Sequence, residues 1–176
     1  MINALEVRDQ YFTAGWPVVF PIPVGKKFPP PGGVTGKGNH PTHQDVEKVW
    51  QGKPANCNLA LRMRSEHPDF DVIAIDIDNY GDKTGLQTIK DLEKSLGEEF
   101  PWYAPFSTRR DPKIGTGQFF FKVPKGLEFH GQLGADVDII QDNHRYSMVY
   151  PSVVNGDQYQ WYYMGNPAPI PRLESL

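Results

Sequence analysis

Two aspartates one residue apart, Asp76 and Asp78, close the apolar run Val72-Ile73-Ala74-Ile75-Asp76-Ile77-Asp78. Such a run predicts a strand, and residues i and i+2 of a strand project from the same face. Two carboxylates held side by side repel each other unless a cation lies between them. Oxygen donors of this kind suit Mg²⁺ or Mn²⁺. A second alternating run, Ala135-Asp136-Val137-Asp138-Ile139-Ile140, offers a third acid. Asp136 and Asp138 share strand parity, so alternation alone leaves both open. Two divalent ions about 4 Å apart can hold the attacking and leaving oxygens of an in-line phosphoryl displacement. Taken alone, an Asp-x-Asp pair is more often two solvated acids where a strand meets a turn. A calcium loop starting at Asp76 is excluded, because Tyr80 and Gln87 stand at its fifth and twelfth positions and a strand precedes it.

The matching cationic chemistry lies in Ser107-Thr108-Arg109-Arg110-Asp111-Pro112-Lys113-Ile114-Gly115-Thr116-Gly117-Gln118. Arginine and lysine can neutralise a triphosphate, and glycine lets backbone amides approach it. The plainer reading is an exposed hairpin loop. It is not a Walker loop, and neither is Gly33-Val34-Thr35-Gly36-Lys37-Gly38, whose glycine spacing is wrong and whose lysine has no Ser or Thr after it. The net charge of -3 argues against nucleic acid at first sight, but its distribution does not. Residues 16–64 hold seven basic and two acidic residues, 65–106 three basic and ten acidic, and 107–125 five basic and one acidic. Basic segments thus flank the acidic one, and two divalent cations would bring the total to +1. Lys26, Lys27 and Lys37 are the candidate contacts to a DNA backbone.

The elements that must position these groups can be read from periodicity and punctuation. Asn3 caps a helix carrying Leu5, Tyr11 and Phe12, which Gly15 ends. Trp16 to Ile22 is a strand that its prolines confine to an edge or to its ends. Residues 24–41 form a long, Pro- and Gly-rich loop, a length that is usually functional or disordered. Thr42 with Asp45 begins a helix through Trp50. Strands are predicted over Cys57–Met63, Asp71–Ile77, Gln118–Val123, Val137–Gln141, Tyr146–Tyr150 and Gln158–Tyr163, and a helix over Thr84–Leu96 that Gly97 stops. Helices with a largely antiparallel sheet make the class α+β. Trp16, Phe119 and Phe121 read as core. Phe28 and Trp102 are candidate contacts for template bases, with packing as the alternative.

The chain of 176 residues fits one compact domain, 1–176. The lone Cys57 forms no internal disulfide and points to a reducing cytoplasm. No segment is apolar enough to span a membrane. The histidines His40, His43, His67 and His130 show no zinc-ligand spacing.

Taken in order, Ala14-Gly15-Trp16-Pro17-Val18-Val19-Phe20-Pro21, Ala55-Asn56-Cys57-Asn58-Leu59-Ala60-Leu61, Ile75-Asp76-Ile77-Asp78, Ser107-Thr108-Arg109, Gly117-Gln118-Phe119-Phe120-Phe121-Lys122, Val137-Asp138-Ile139 and Val149-Tyr150-Pro151-Ser152 form a pattern. It resembles the bifunctional primase-polymerase domain of the archaeo-eukaryotic primase superfamily, found in phage and plasmid replication proteins. The resemblance covers nearly the whole chain. It implies a small α/β lobe packed on an RNA-recognition-like antiparallel sheet lobe. Asp76, Asp78 and Asp138 would ligate two Mg²⁺ or Mn²⁺ ions. The implied partners are NTPs or dNTPs, a single-stranded DNA template and primer, and a helicase region in the same full-length protein. Gln118 stands where the family usually has a histidine that contacts the incoming phosphates. Ser107, Arg109, Arg110, Lys113, Gln118 and His144 are therefore the candidate nucleotide contacts. The expected activity is template-directed priming and polymerisation. A non-catalytic nucleotide- or nucleic-acid-binding module and a metal-dependent phosphohydrolase are the competing classes.

Overall fold

The computed structural model describes residues 2–176. Helix α1 (Ala4–Thr13) begins where the Asn3 side chain accepts a hydrogen bond from the Leu5 N–H at 3.0 Å. Strand β1 (Val19–Ile22) follows and contains Pro21, which has no N–H to donate. Among the described residues its one strand neighbour is β2 (Asn58–Leu61), and β8 (Ser147–Val149) completes this three-stranded sheet in the order β1-β2-β8. Proline thus sits on an edge strand, as its chemistry requires. Helix α2 (His43–Trp50) starts with the expected capping box, Thr42 and Asp45 satisfying each other's backbone N–H.

The second lobe is a seven-stranded, wholly antiparallel sheet built from β3 (Phe70–Ile77), β4 (Phe106–Thr108), β5 (Gly117–Pro124), β6 (Gln132–Gly134), β7 (Val137–Ile140), β11 (Gln160–Tyr163) and β12 (Asn166–Pro167). Its order is β12-β11-β4-β5-β3-β7-β6. Helix α3 (Gly85–Leu96) connects β3 to β4 and ends at Gly97 in the left-handed region. A two-stranded ribbon, β9 (Val153–Val154) with β10 (Asp157–Gln158), lies between β8 and β11. The α+β class read from the sequence is the class observed. Among the described residues no helix is long and apolar enough to cross a membrane.

Strand alternation splits the large sheet's side chains between two cores. Val72, Ala74, Phe120 and Ile140 join Trp16, Phe20, Leu59 and Leu61 in the larger one, which the small sheet and both N-terminal helices share. Ile77, Phe119 and Val137 point the other way and pack with Ile89 of α3, Ala104 and Phe106. Trp16 meets Phe120 edge-on at 5.8 Å and Phe119 stacks on Phe106 at 4.6 Å, so these aromatics are core, as expected.

Two departures from the sequence reading have physical causes. Strand β4 falls in a segment whose arginines and glycines read as a loop. Its three buried residues, Phe106, Ser107 and Thr108, are too few to show alternation, and pairing with β5 and β11 creates the strand. The stretch Trp16–Val18 is not strand, although Trp16 and Val18 are buried.

Candidate active site

The register of the large sheet assembles the acids. Asp76 on β3 lies directly opposite Gln118 on β5 and Asp138 on β7, and Gln118 lies opposite Ser107 on β4. Directly paired residues share a face. Ser107, Gln118, Asp76 and Asp138 therefore form one row across four strands, one step beyond the apolar pair Ala74 and Phe120. Asp78 lies past the end of β3, but its N–H donates to the Asp136 carbonyl at 2.9 Å and its own carbonyl accepts from Gly85 N–H at 2.9 Å. A Cβ at position 85 would sit 2.6 Å from the Asp78 carbonyl oxygen and 2.7 Å from that of Asp136. Only glycine permits that approach, so the start of α3 clamps both acid-bearing segments.

Burial raises the Asp76 carboxyl to about 6, with Asp78 and then Asp138 adding like-charge repulsion. The Gln118 amide and Lys27 pull in the opposite direction without cancelling this. Gln118 donates from Nε2 to the Asp76 carboxylate at 3.2 Å, and its own Oε1 is buried with no partner. An under-compensated carboxylate pair with an orphaned amide oxygen beside it is an oxygen-donor set that fits a hard divalent cation.

Asp76, Asp78 and Gln118 line one pocket with Lys27, Tyr80, Ser107, Thr108, Arg109, Arg110, Thr116 and Tyr159. Its cations differ in their commitments. Arg109 is tied to Asp157 at 3.2 Å and to the Val154 carbonyl at 3.4 Å. The Arg110 guanidinium carbon lies 3.7 Å from the centroid of the Tyr80 ring. Among the described residues neither Arg110 nor Lys27 has a carboxylate within ion-pair distance. Burial pushes the Tyr159 hydroxyl up to about 12; Arg109 draws it down while Asp76 and Asp78 raise it further. It is therefore a protonated donor close to the acids. Carboxylates with free cations nearby can hold metal ions and the phosphates those ions would bridge.

The two candidates for third acid differ in their surroundings. Asp138 shares the row with Asp76 and is paired with Arg145. Asp136 is engaged by Lys83 at 2.6 Å and by the Thr84 N–H at 2.9 Å, at the start of α3. Its carboxyl is held below the usual range, chiefly by Lys83. Among the described residues, no three His, Cys, Asp or Glu side chains converge as ligands on one point.

The remaining expected contacts, Ser107 apart, lie elsewhere. Lys113 lines an apolar groove with Leu86, Trp102, Phe119 and Met164. His144 is exposed, exchanges backbone hydrogen bonds with Gln141, and its ring abuts Gly131. Lys37 borders a different cavity with His40, Asp71 and Asp142. Lys26 is exposed on the long loop. Ser107 points its hydroxyl at the Met148 carbonyl, 3.3 Å away, across to the small sheet. Sequence reasoning did not single out Tyr80, Thr116, Tyr159 or Arg145 as site residues. Tyr80 lies two residues after Asp78, whereas nothing local in the sequence links Arg145 to Asp138.

A family profile described as Bifunctional DNA primase/polymerase, N-terminal, matches residues 8–173. No curated protein and no solved structure matches the chain.

Proposed function

The chain belongs to the family of bifunctional DNA primase/polymerase N-terminal domains, and from that premise we propose that it is a template-directed nucleotidyltransferase that extends or starts DNA chains from NTPs or dNTPs. The observation that carries this reading is the row Gln118–Asp76–Asp138, with Asp78 beside it and the unpaired Lys27 and Arg110 in the same pocket. In this reading Asp76, Asp78 and Asp138 hold two divalent ions, Mg²⁺ or Mn²⁺. Bound there, such ions would supply Lewis acidity for a 3′-hydroxyl and for the charge that builds on the α-phosphate.

The chain's own residues do the rest. Lys27 and Arg110 supply positive charge for the triphosphate, and the Tyr80 ring holds the Arg110 guanidinium by a cation–π contact. Gln118 donates its amide hydrogen where the family's histidine would act, which gives a neutral bond in place of a charge-assisted one. Tyr159 offers a second neutral donor. To serve as a ligand, Asp138 would have to give up its ion pair with Arg145. The partners are a single-stranded template and a primer, and the compartment we assign is a reducing cytoplasm, bacterial or phage-infected.

The deciding experiment combines primer extension and unprimed synthesis on a single-stranded template, with ribo- and deoxyribonucleotides and with Mg²⁺ or Mn²⁺. Extended product that Asp76→Ala or Asp78→Ala abolishes supports the reading. Nucleotide or DNA binding with no product under any condition replaces it with a non-catalytic module, the alternative that Gln118 and the Asp138–Arg145 pair favour. Free phosphate without extension replaces it with a phosphohydrolase.

A further inference from the structure

Phe28 is 72% exposed and belongs to neither core. Leaving a phenyl ring in water forgoes the stabilisation that its burial would contribute. The segment that carries it is nevertheless held firmly. The buried Asn58 donates to the Lys26 carbonyl at 2.8 Å, and Tyr146 donates through its hydroxyl to the Lys27 carbonyl at 2.6 Å. Farther along the loop, Arg62, itself 1% exposed, donates to the Val34 carbonyl at 3.1 Å. Pro29, Pro30 and Pro31 follow Phe28 directly and restrict the backbone further. The loop is thus anchored on both sides of a ring that it presents to solvent.

The surroundings of that ring indicate what it meets. Lys27, the adjacent residue, lines the acid pocket and bears on Asp76. Lys26 is exposed beside it. An exposed aromatic directly after two exposed lysines, one of which lines that pocket, combines a stacking surface with phosphate counter-charge, the two elements of single-strand recognition. Trp102, the other candidate, is occupied: it packs on Phe100 and Phe119 and donates to Glu93.

We propose that Phe28 is a stacking platform for a nucleobase of the single-stranded DNA strand that enters this site, with Lys26 and Lys27 neutralising the adjoining phosphates. The inference rests on the reading of the chain as a DNA-templated enzyme, and it concerns binding and not turnover.

The test is equilibrium binding of a fluorescent oligodeoxythymidylate and of an abasic strand of equal length to the wild-type chain, Phe28→Ala and Phe28→Trp. Stacking predicts that Phe28→Ala weakens binding of the base-bearing strand by about 5- to 150-fold. It predicts that Phe28→Trp retains binding, that the abasic strand is bound equally by all three proteins, and that the salt slope is unchanged. Equal affinity of wild type and Phe28→Ala for oligodeoxythymidylate overturns the proposal. So does an equal loss on the abasic strand, or no measurable binding by the wild type. A raised nucleotide KM in Phe28→Ala with unchanged strand affinity overturns it as well, by assigning the ring to the incoming nucleotide. Because binding needs no catalysis, a stacking effect without extension product leaves this inference standing and removes the polymerase reading; product with no stacking effect does the reverse.

Discussion

The Asp76→Asn substitution separates the cost of the acid pair from its use. The Asp76 carboxyl rises from an ordinary 3.8 to about 6, mainly through burial and then through Asp78. One unit corresponds to about 1.36 kcal/mol, so ionising this group in the metal-free fold costs up to about 3 kcal/mol. Asp76 retains some exposure, which reduces the expected effect to about 1–3 kcal/mol. The native state binds the proton more tightly than the unfolded chain. The stabilisation from protonation is therefore complete below 3.8 and is lost as pH rises through about 6. Asparagine has nearly the same shape and never ionises, and its amide can donate to the unpartnered Oε1 of Gln118. In a chelator, Asp76→Asn should melt about 2–10 °C above the wild type at about pH 8, with the difference vanishing near pH 4. Added Mg²⁺ or Mn²⁺ should raise the melting temperature of the wild type and not of the variant. Thermal melts across pH, with and without metal, make the measurement. An equal or lower melting temperature for Asp76→Asn at about pH 8, or a gain that persists at pH 4, would refute the reasoning.

Other expected outcomes concern the neighbours of Asp76. Asp138→Asn should abolish extension while leaving the fold intact, whereas Asp136→Asn should retain extension and lower the melting temperature at neutral pH, because one uncharged oxygen then replaces the two that serve Lys83 and the Thr84 N–H; extension assays and melts on the pair check the ranking. Gln118→His should lower the apparent KM for nucleotide, by adding a charge-assisted bond when protonated, and Gln118→Ala should raise it; steady-state kinetics with KM and turnover unaltered in both would remove Gln118 from nucleotide contact. Lys27→Ala, in the pocket, should weaken nucleotide use more than Lys37→Ala, which borders another cavity. Neutralising Lys26, Lys27 and Lys37 together should flatten the salt dependence of single-strand binding by about 0.7 per lost phosphate contact, read from a titration at several ionic strengths.

Much of this protein is set by local sequence. The capping box at Thr42 and Asp45, the Asn3 cap and the stop at Gly97 concern side chains a few residues from the backbone groups they satisfy, so they could be read directly. The alternation around Asp76 and Asp78 likewise depends only on the two-residue period of a strand. Pairing across strands is different, because contact order and register are properties of the folded sheet. Placing β3 between β5 and β7 puts Gln118 and Asp138 on either side of Asp76, and no spacing along the chain encodes that. The same holds for the contrast between Asp136 and Asp138. Both have equal strand parity, yet the left-handed backbone at Asp136 turns its carboxylate to Lys83 and Thr84, while Asp138 stays in the row. Lys27 and Tyr159 are more than 130 residues apart in sequence and line one pocket, because the long loop and the β10–β11 turn meet only when the two sheets pack. Sequence determined which chemistry this chain carries, since residue type and short-range period are local; the tertiary structure decided which groups meet, since that depends on strand order, register and the packing of one lobe on the other.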